Sequence, residues 1–185
     1  VEGYGNFSIV QNVVLVLISF GGGWLNQCVL RFNNYSTHFK FDIFQLYLIT
    51  FFPLSILCFG ILTLMKVGFV ISIIGSITMF LGSLVALSIV FYQSKFNARK
   101  SFYFDFVRIL VFVLMVLTFH FTLSETPSLL RLILSFFISY LISFFLLLRV
   151  DYKFFKISID LFIKKFDKGY FVLLFKQNDY LFQYG

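Results

Sequence analysis

Apolar residues fall into five long runs that are separated by short polar segments. Each run is close to or above the ~20 residues that an α-helix needs to cross the hydrocarbon core of a bilayer. The runs cover residues of about 5–31, 44–65, 67–92, 102–122 and 129–148. We therefore predict an all-α fold, a polytopic transmembrane helix bundle of about five spans that occupies residues 1–148.

The pattern changes at Arg149. From there on, phenylalanine and isoleucine recur at helical spacing on one side, while lysines and an aspartate occupy the other side. This pattern is typical of a basic amphipathic helix that lies on the membrane surface. We interpret residues 149–185 as a cytoplasmic linker of this kind followed by the start of a further helix, and the whole sequence as a fragment of a longer chain.

Two features are expected to perturb the first two spans. Three consecutive glycines, Gly21, Gly22 and Gly23, lie in the cytoplasmic half of the first span. They predict a flexible or close-packing point in that helix. Pro53 lies in the first half of the second span and removes a backbone donor, so we expect a kink there.

Small residues follow helical spacing on two later spans. On the third span they form one smooth face, which lets helices pack closely in lipid. Its members are Gly68, Ser72, Gly75, Ser76, Gly82, Ser83 and Ala86. On the fifth span a polar stripe recurs every four residues, at Arg131, Ser135, Ser139 and Ser143. This stripe has two interpretations, a serine-lined packing seam or one wall of a hydrated cavity.

Composition and charge agree with a membrane protein. Hydrophobic residues make up 60% of the chain and charged residues 12%, well below the ~25% charged share of soluble domains. The formal net charge is +7, but the basic residues flank apolar runs, which argues against a nucleic-acid partner. All of the 15 basic residues except Lys66 and Arg131 fall on one side of a five-span bundle. The positive-inside rule makes that side cytoplasmic and puts the N-terminus outside.

Reactive side chains form no catalytic constellation in the sequence. His38 and His120 fall on opposite sides of the predicted membrane, carboxylates do not cluster, and Cys28 and Cys58 lie within spans. We therefore predict that the protein is not an enzyme and that it needs neither a metal nor another cofactor.

One pair of opposite charges lies near the start of the fourth span. Asp105 and Arg108 are three residues apart, so they can pair on one face of a helix. The pair is either an ion pair at the helix end, among the lipid headgroups, or a functional group held within the membrane.

Several short motifs resemble one family of membrane transporters. Tyr4-Gly5, the glycine-rich centre, Trp24-Leu25-Asn26-Gln27 and Arg31 resemble the second helix of polysaccharide flippases, which belong to the MATE-like multidrug/oligosaccharidyl-lipid/polysaccharide exporter superfamily. The segment from Tyr92-Gln93 to Arg99 resembles the loop between that family's fourth and fifth helices, and Tyr184-Gly185 resembles the start of its seventh. On this alignment the sequence covers the second to sixth helices and the linker between two lobes.

The resemblance implies a transporter. Such proteins move undecaprenyl-pyrophosphate-linked oligosaccharide repeat units, as for O-antigen or capsule, across the bacterial cytoplasmic membrane by alternating access. Arginines suit the pyrophosphate because they bind its oxygens through paired hydrogen bonds, and side-chain amides suit sugar hydroxyls. The predicted substrate-binding residues are Asn26, Gln27, Arg31, Arg99, Arg108 and Arg131, with Arg31 and Arg108 as the leading candidates.

The resemblance also implies partners. They are the lipid-linked oligosaccharide, membrane lipid, a C-terminal lobe of the same chain, and a polysaccharide polymerase and glycosyltransferases. The alternative is a non-transporting structural subunit of a larger membrane complex, such as one of the respiratory chain. That alternative explains the 30 phenylalanines and the small-residue face of the third span equally well.

Overall fold

The computed structural model describes residues 2–32, 39–95, 97–122 and 128–150. Within these ranges, the side chains of residues 2–4, 28, 31–32 and 39–42 are outside the description. The described residues form five α-helices: α1 (Glu2–Phe32), α2 (Phe39–Leu64), α3 (Phe69–Ser94), α4 (Ala98–Thr122) and α5 (Ser128–Val150). The predicted amphipathic helix falls on residues after Val150, outside the described part.

All five helices are long and apolar enough to cross a membrane. The described residues contain no strand. The predicted all-α transmembrane bundle is therefore confirmed, with one helix for each apolar run.

Most of the helix ends extend beyond the apolar runs, although α2 ends and α3 begins one or two residues inside them. α4 begins at Ala98 and not near residue 102, and Asn97 explains why. Its side-chain oxygen accepts a hydrogen bond from the backbone N–H of Lys100 at 3.3 Å, which is the geometry of an N-cap. Hydropathy marks the part of a helix that suits lipid, whereas a cap decides where the helical backbone begins.

A tight turn at Lys66 joins α2 to α3, as expected from its position between two apolar runs. The backbone N–H of Val67 donates to the carbonyl of Leu62 at 3.4 Å, and that of Lys66 donates to Thr63 at 3.0 Å. This is the Schellman pattern that ends a helix. Lys66 adopts a left-handed φ of 56°, and Gly68 has a φ of 115° that favours glycine.

α3 lies at the centre of the bundle, in contact with each of the other four helices. Its glycines make close approaches possible. A Cβ built on Gly75 would lie 2.6 Å from Leu62 of α2, and one built on Gly82 would lie 2.9 Å from Ile18 of α1. The predicted small-residue face is therefore largely a packing surface, although Gly68 at its start is exposed.

α1 packs on α2 through two of its three consecutive glycines. A Cβ on Gly21 would overlap Leu54, one on Gly22 would lie 2.9 Å from the Tyr47 hydroxyl, and one on Gly23 would meet open space. The helix continues through all three without a break. α2 likewise remains helical through Pro53.

α4 is the peripheral helix. It packs mainly against α5, with which it forms a hairpin because α4 ends at Thr122 and α5 begins at Ser128. Many of its large side chains point away from the bundle, including Phe102, Phe106 and Leu114, which are all more than half exposed.

Candidate functional site

A charged cluster joins α4 to α5 within their spans. One guanidinium nitrogen of Arg108 lies 3.0 Å from a carboxylate oxygen of Asp105. Another donates a hydrogen bond to the hydroxyl of Tyr140 at 2.8 Å, and the guanidinium carbon lies 5.1 Å from the centre of the Tyr140 ring. The arginine is thus held by an ion pair, a hydrogen bond and a cation–π contact.

The cluster does not lie at the end of its helix. Because α4 begins at Ala98, Arg108 is about 15 Å from the start of the helix and about 9 Å from Phe102, where the apolar residues begin. Charges at this depth are rare in membrane helices and usually face a partner or a cavity. The position therefore favours the intramembrane interpretation of the pair over the helix-end one.

A cavity of about 180 Å³ borders this cluster between α1, α4 and α5. Four of its lining residues are polar or carry a polar tip, and the other four are apolar. The polar group consists of Gln11, Arg108, Ser139 and Tyr140, and the apolar group consists of Leu15, Ile109, Phe112 and Phe136. Polar walls of this kind can hold water or a small polar group, since a site for one water needs only ~10–15 Å³.

An aromatic cluster holds the three helices around the cavity. The ring of Phe7 lies 6.3 Å from Phe112 and 6.0 Å from Phe136. Phe136 in turn lies 5.1 Å from the ring of Tyr140 in an edge-on arrangement. Edge-on and offset ring contacts are favourable, so this cluster fixes the tyrosine that binds Arg108.

The remaining predicted residues lie away from this cavity. The side-chain oxygen of Asn26 accepts a hydrogen bond from the Tyr47 hydroxyl, so this amide joins α1 to α2. Gln27 and Arg99 are exposed. Arg31 lies in the last turn of α1 and its side chain is outside the described part. Arg131 lies at the opposite end of the hairpin, in the first turn of α5.

The serine stripe of α5 belongs mainly to a packing seam. Ser135, Ser139 and Ser143 are at most 1% exposed. Their hydroxyls donate to carbonyls of their own helix at 2.7–2.8 Å. Ser139 alone also borders the cavity, so the two interpretations of the stripe meet at this residue.

Two lining residues were missed by the sequence reasoning, Gln11 and Tyr140. Gln11 had a signal, because an uncharged polar side chain inside an apolar run is costly in lipid and needs a partner or a cavity. The sequence pattern around Tyr140 was less informative, since tyrosine is common in this chain and its partner Arg108 lies 32 residues away.

The described residues contain no group of three or more His, Cys, Asp or Glu side chains that could hold a metal ion. Cys58 is buried and free. In the comparisons with known proteins, no family model, curated protein or solved structure matches this chain.

Proposed function

We propose that this chain is part of a membrane transporter that moves undecaprenyl-pyrophosphate-linked oligosaccharide repeat units across the bacterial cytoplasmic membrane by alternating access. The observation that carries the proposal is Arg108, a cation within a span and beside a cavity bounded by three helices. The motifs of the first span, which resemble those of polysaccharide flippases, support the same substrate class.

The chemistry of the cluster suits a lipid pyrophosphate. An arginine presents several N–H donors in a planar fork, and phosphate oxygens accept them in pairs. Asp105 neutralises the arginine while no substrate is bound, which lowers the free energy of holding a charge in lipid. An arriving phosphate would compete with this carboxylate for the same N–H groups.

The size of the cavity limits what it can bind. A volume of about 180 Å³ is below the ~300–1,000 Å³ of ordinary ligand pockets. The cavity would therefore accept part of the headgroup, and the sugars would lie between this bundle and a second lobe of the same chain. Glycosyltransferases would assemble the repeat unit before this step, and a polysaccharide polymerase would join the units after it.

Transport by the full-length protein tests the proposal. Arg108→Gln should reduce translocation of lipid-linked oligosaccharide at least tenfold at equal protein abundance, since a charge-assisted bond is worth about 1.5–3 kcal/mol. Arg149→Gln, which removes an exposed charge from the end of α5, serves as the control and should retain transport. Normal translocation by Arg108→Gln at normal abundance would contradict the proposal.

A structural subunit of a larger membrane complex is the second candidate. It is favoured by the exposed apolar face of α4, which leaves only 6% of that span buried and which another membrane protein could cover. In that case Arg108→Gln would lower the abundance or assembly of the complex, and no lipid-linked sugar would move in proteoliposomes that contain the intact chain.

A further inference from the structure

A second cavity lies at the other end of the α4–α5 hairpin, away from Arg108. Its volume is about 60 Å³. It is lined by Val116 and His120 of α4 and by Ser128, Arg131 and Leu132 of α5. The two cavities share no lining residue, and Arg131 precedes Tyr140 of the first cavity by nine residues, ~13 Å along the helix.

Arg131 points to a ligand in this cavity. Its Nε atom is buried, and among the described residues it has no hydrogen-bond partner. Native structures seldom leave a buried donor unsatisfied, and a charged one least of all. The missing acceptor is expected in the space that the arginine lines.

The other lining groups define the charge of that acceptor. His120 offers an imidazole N–H from the neighbouring helix, and Ser128 adds a hydroxyl. None of the described lining residues is a carboxylate. Ser128 is also the first residue of α5, and the start of a helix favours negative charge. Together these groups select an anion.

The space defines its size. A volume of about 60 Å³ accommodates on the order of four or five water-sized groups, which matches one tetrahedral oxyanion. Val116 and Leu132 line part of the cavity with apolar side chains. The cavity is open on one side, so a larger headgroup can place one phosphate in it while the rest of the molecule lies outside.

We propose that the cavity between His120 and Arg131 binds a single phosphate group, supplied by a lipid headgroup or by free phosphate. Arg131 is among the residues predicted to contact a transported headgroup. The site therefore rests on the proposed function and assigns one phosphate of that headgroup a binding position. Equilibrium binding tests the phosphate site without any measurement of transport, so the phosphate site and the proposed transport function can fail independently.

The test uses the whole chain in maltoside detergent, which carries no phosphate. Inorganic phosphate is titrated in one arm and followed by phosphorus NMR. Dioleoyl phosphatidic acid is added in the other arm and bound lipid is measured by native mass spectrometry. Binding of inorganic phosphate would identify free phosphate as sufficient, and binding of phosphatidic acid alone would identify a lipid headgroup.

Matched variants locate the binding. Arg131→Gln should weaken it at least tenfold, because a charge-assisted pair is lost, and Arg149→Gln should leave it unchanged. Arg131→Lys keeps the charge without the planar fork, so an intermediate loss is expected. It also guards against misfolding of the glutamine variant. The proposal is overturned if the unmodified chain binds neither probe, or if the Arg131 and Arg149 variants bind equally well.

Discussion

α3 and α4 are helices of 26 and 25 residues whose most apolar segments are similar in hydropathy, yet they occupy opposite positions in the bundle. In the most apolar 18-residue segment of each helix, 56% of the residues of α3 are buried and 6% of those of α4. Glycines and serines recur along α3, whereas α4 has no glycine and carries large side chains on nearly every face. Small residues let neighbouring helices approach α3 closely, which explains why α3 and not α4 lies at the centre.

The same two helices also differ in charge. No charged residue lies within α3, whereas α4 carries the ion pair of Arg108 and Asp105, whose side chains are 28% and 40% exposed. A helix in contact with four neighbours cannot shift without repacking them. A peripheral helix has more freedom to move, which would suit the proposed transport site, since a transported ligand must be released.

The strongest test of the comparison enlarges one side chain on each helix. Gly82→Leu on α3 should destabilise the protein by about 3 kcal/mol, since its Cβ already meets Ile18 at 2.9 Å and Tyr140 at 3.2 Å and overpacking is costly. Val113→Leu on α4, at a position that is 47% exposed, should change stability by less than ~0.5 kcal/mol. Thermal unfolding in detergent, followed by circular dichroism, measures both. Equal losses would refute the central placement of α3.

The second test concerns the ion pair on α4. Arg108→Met should destabilise the protein by about 2 kcal/mol, because it leaves Asp105 without a partner in the membrane. Adding Asp105→Asn should restore most of that loss, since removal of both charges is often nearly neutral. A double-mutant cycle on unfolding free energies measures the coupling. If the two single variants and the double variant are equally stable, the pair is solvated and does not lie within the membrane.

The third test applies the size argument within one helix. Gly21→Ala should destabilise the protein by about 1 kcal/mol, because the new methyl group would overlap Leu54. Gly23→Ala meets open space and should stabilise the helix by about 0.5 kcal/mol, since alanine loses less backbone entropy than glycine. The opposite signs, read from unfolding temperatures, distinguish packing from flexibility. A stabilising effect at both glycines would mean that neither is a packing position.

Much of the fold could be predicted from the sequence because long apolar runs have few alternatives in lipid. All five spans and most of the packing face of α3 follow from composition and spacing. Arg108 could also be singled out, since a charge within an apolar run is rare. An apolar run does not specify how its helix is rotated about the helix axis relative to the neighbouring helices.

That rotation explains the residues that the sequence left open. Arg108 contacts Tyr140 and lines the same cavity as Gln11 only because α1 and α5 present those faces to α4. In the same way, the contact of Asn26 with Tyr47 depends on the approach of α2 to α1. Hydropathy does not predict which side chains of neighbouring helices meet, and a single sequence contains no other information about these contacts.

The smallest expected effect concerns how each helix begins. Gly68 precedes α3 as its N-cap and provides no side-chain capping bond, so the first turn of α3 depends on packing. Asn97 precedes α4, and its side chain accepts a hydrogen bond from the N–H of Lys100. Asn97→Ala should therefore destabilise α4 by about 0.5 kcal/mol or slightly more. Asn97→Asp, which keeps the acceptor, should not.

Hydrogen exchange resolves an effect of this size because it reports on single turns. Amides in the first turn of α4, near Lys100 and Ser101, should exchange about two- to threefold faster in the alanine variant, as expected from the same free energy. Amides of α3 should be unaffected, since that helix is held by its neighbours. Faster exchange in both helices would show that the peripheral helix supports the central one, and the division between a packed centre and a locally stabilised periphery would then be wrong.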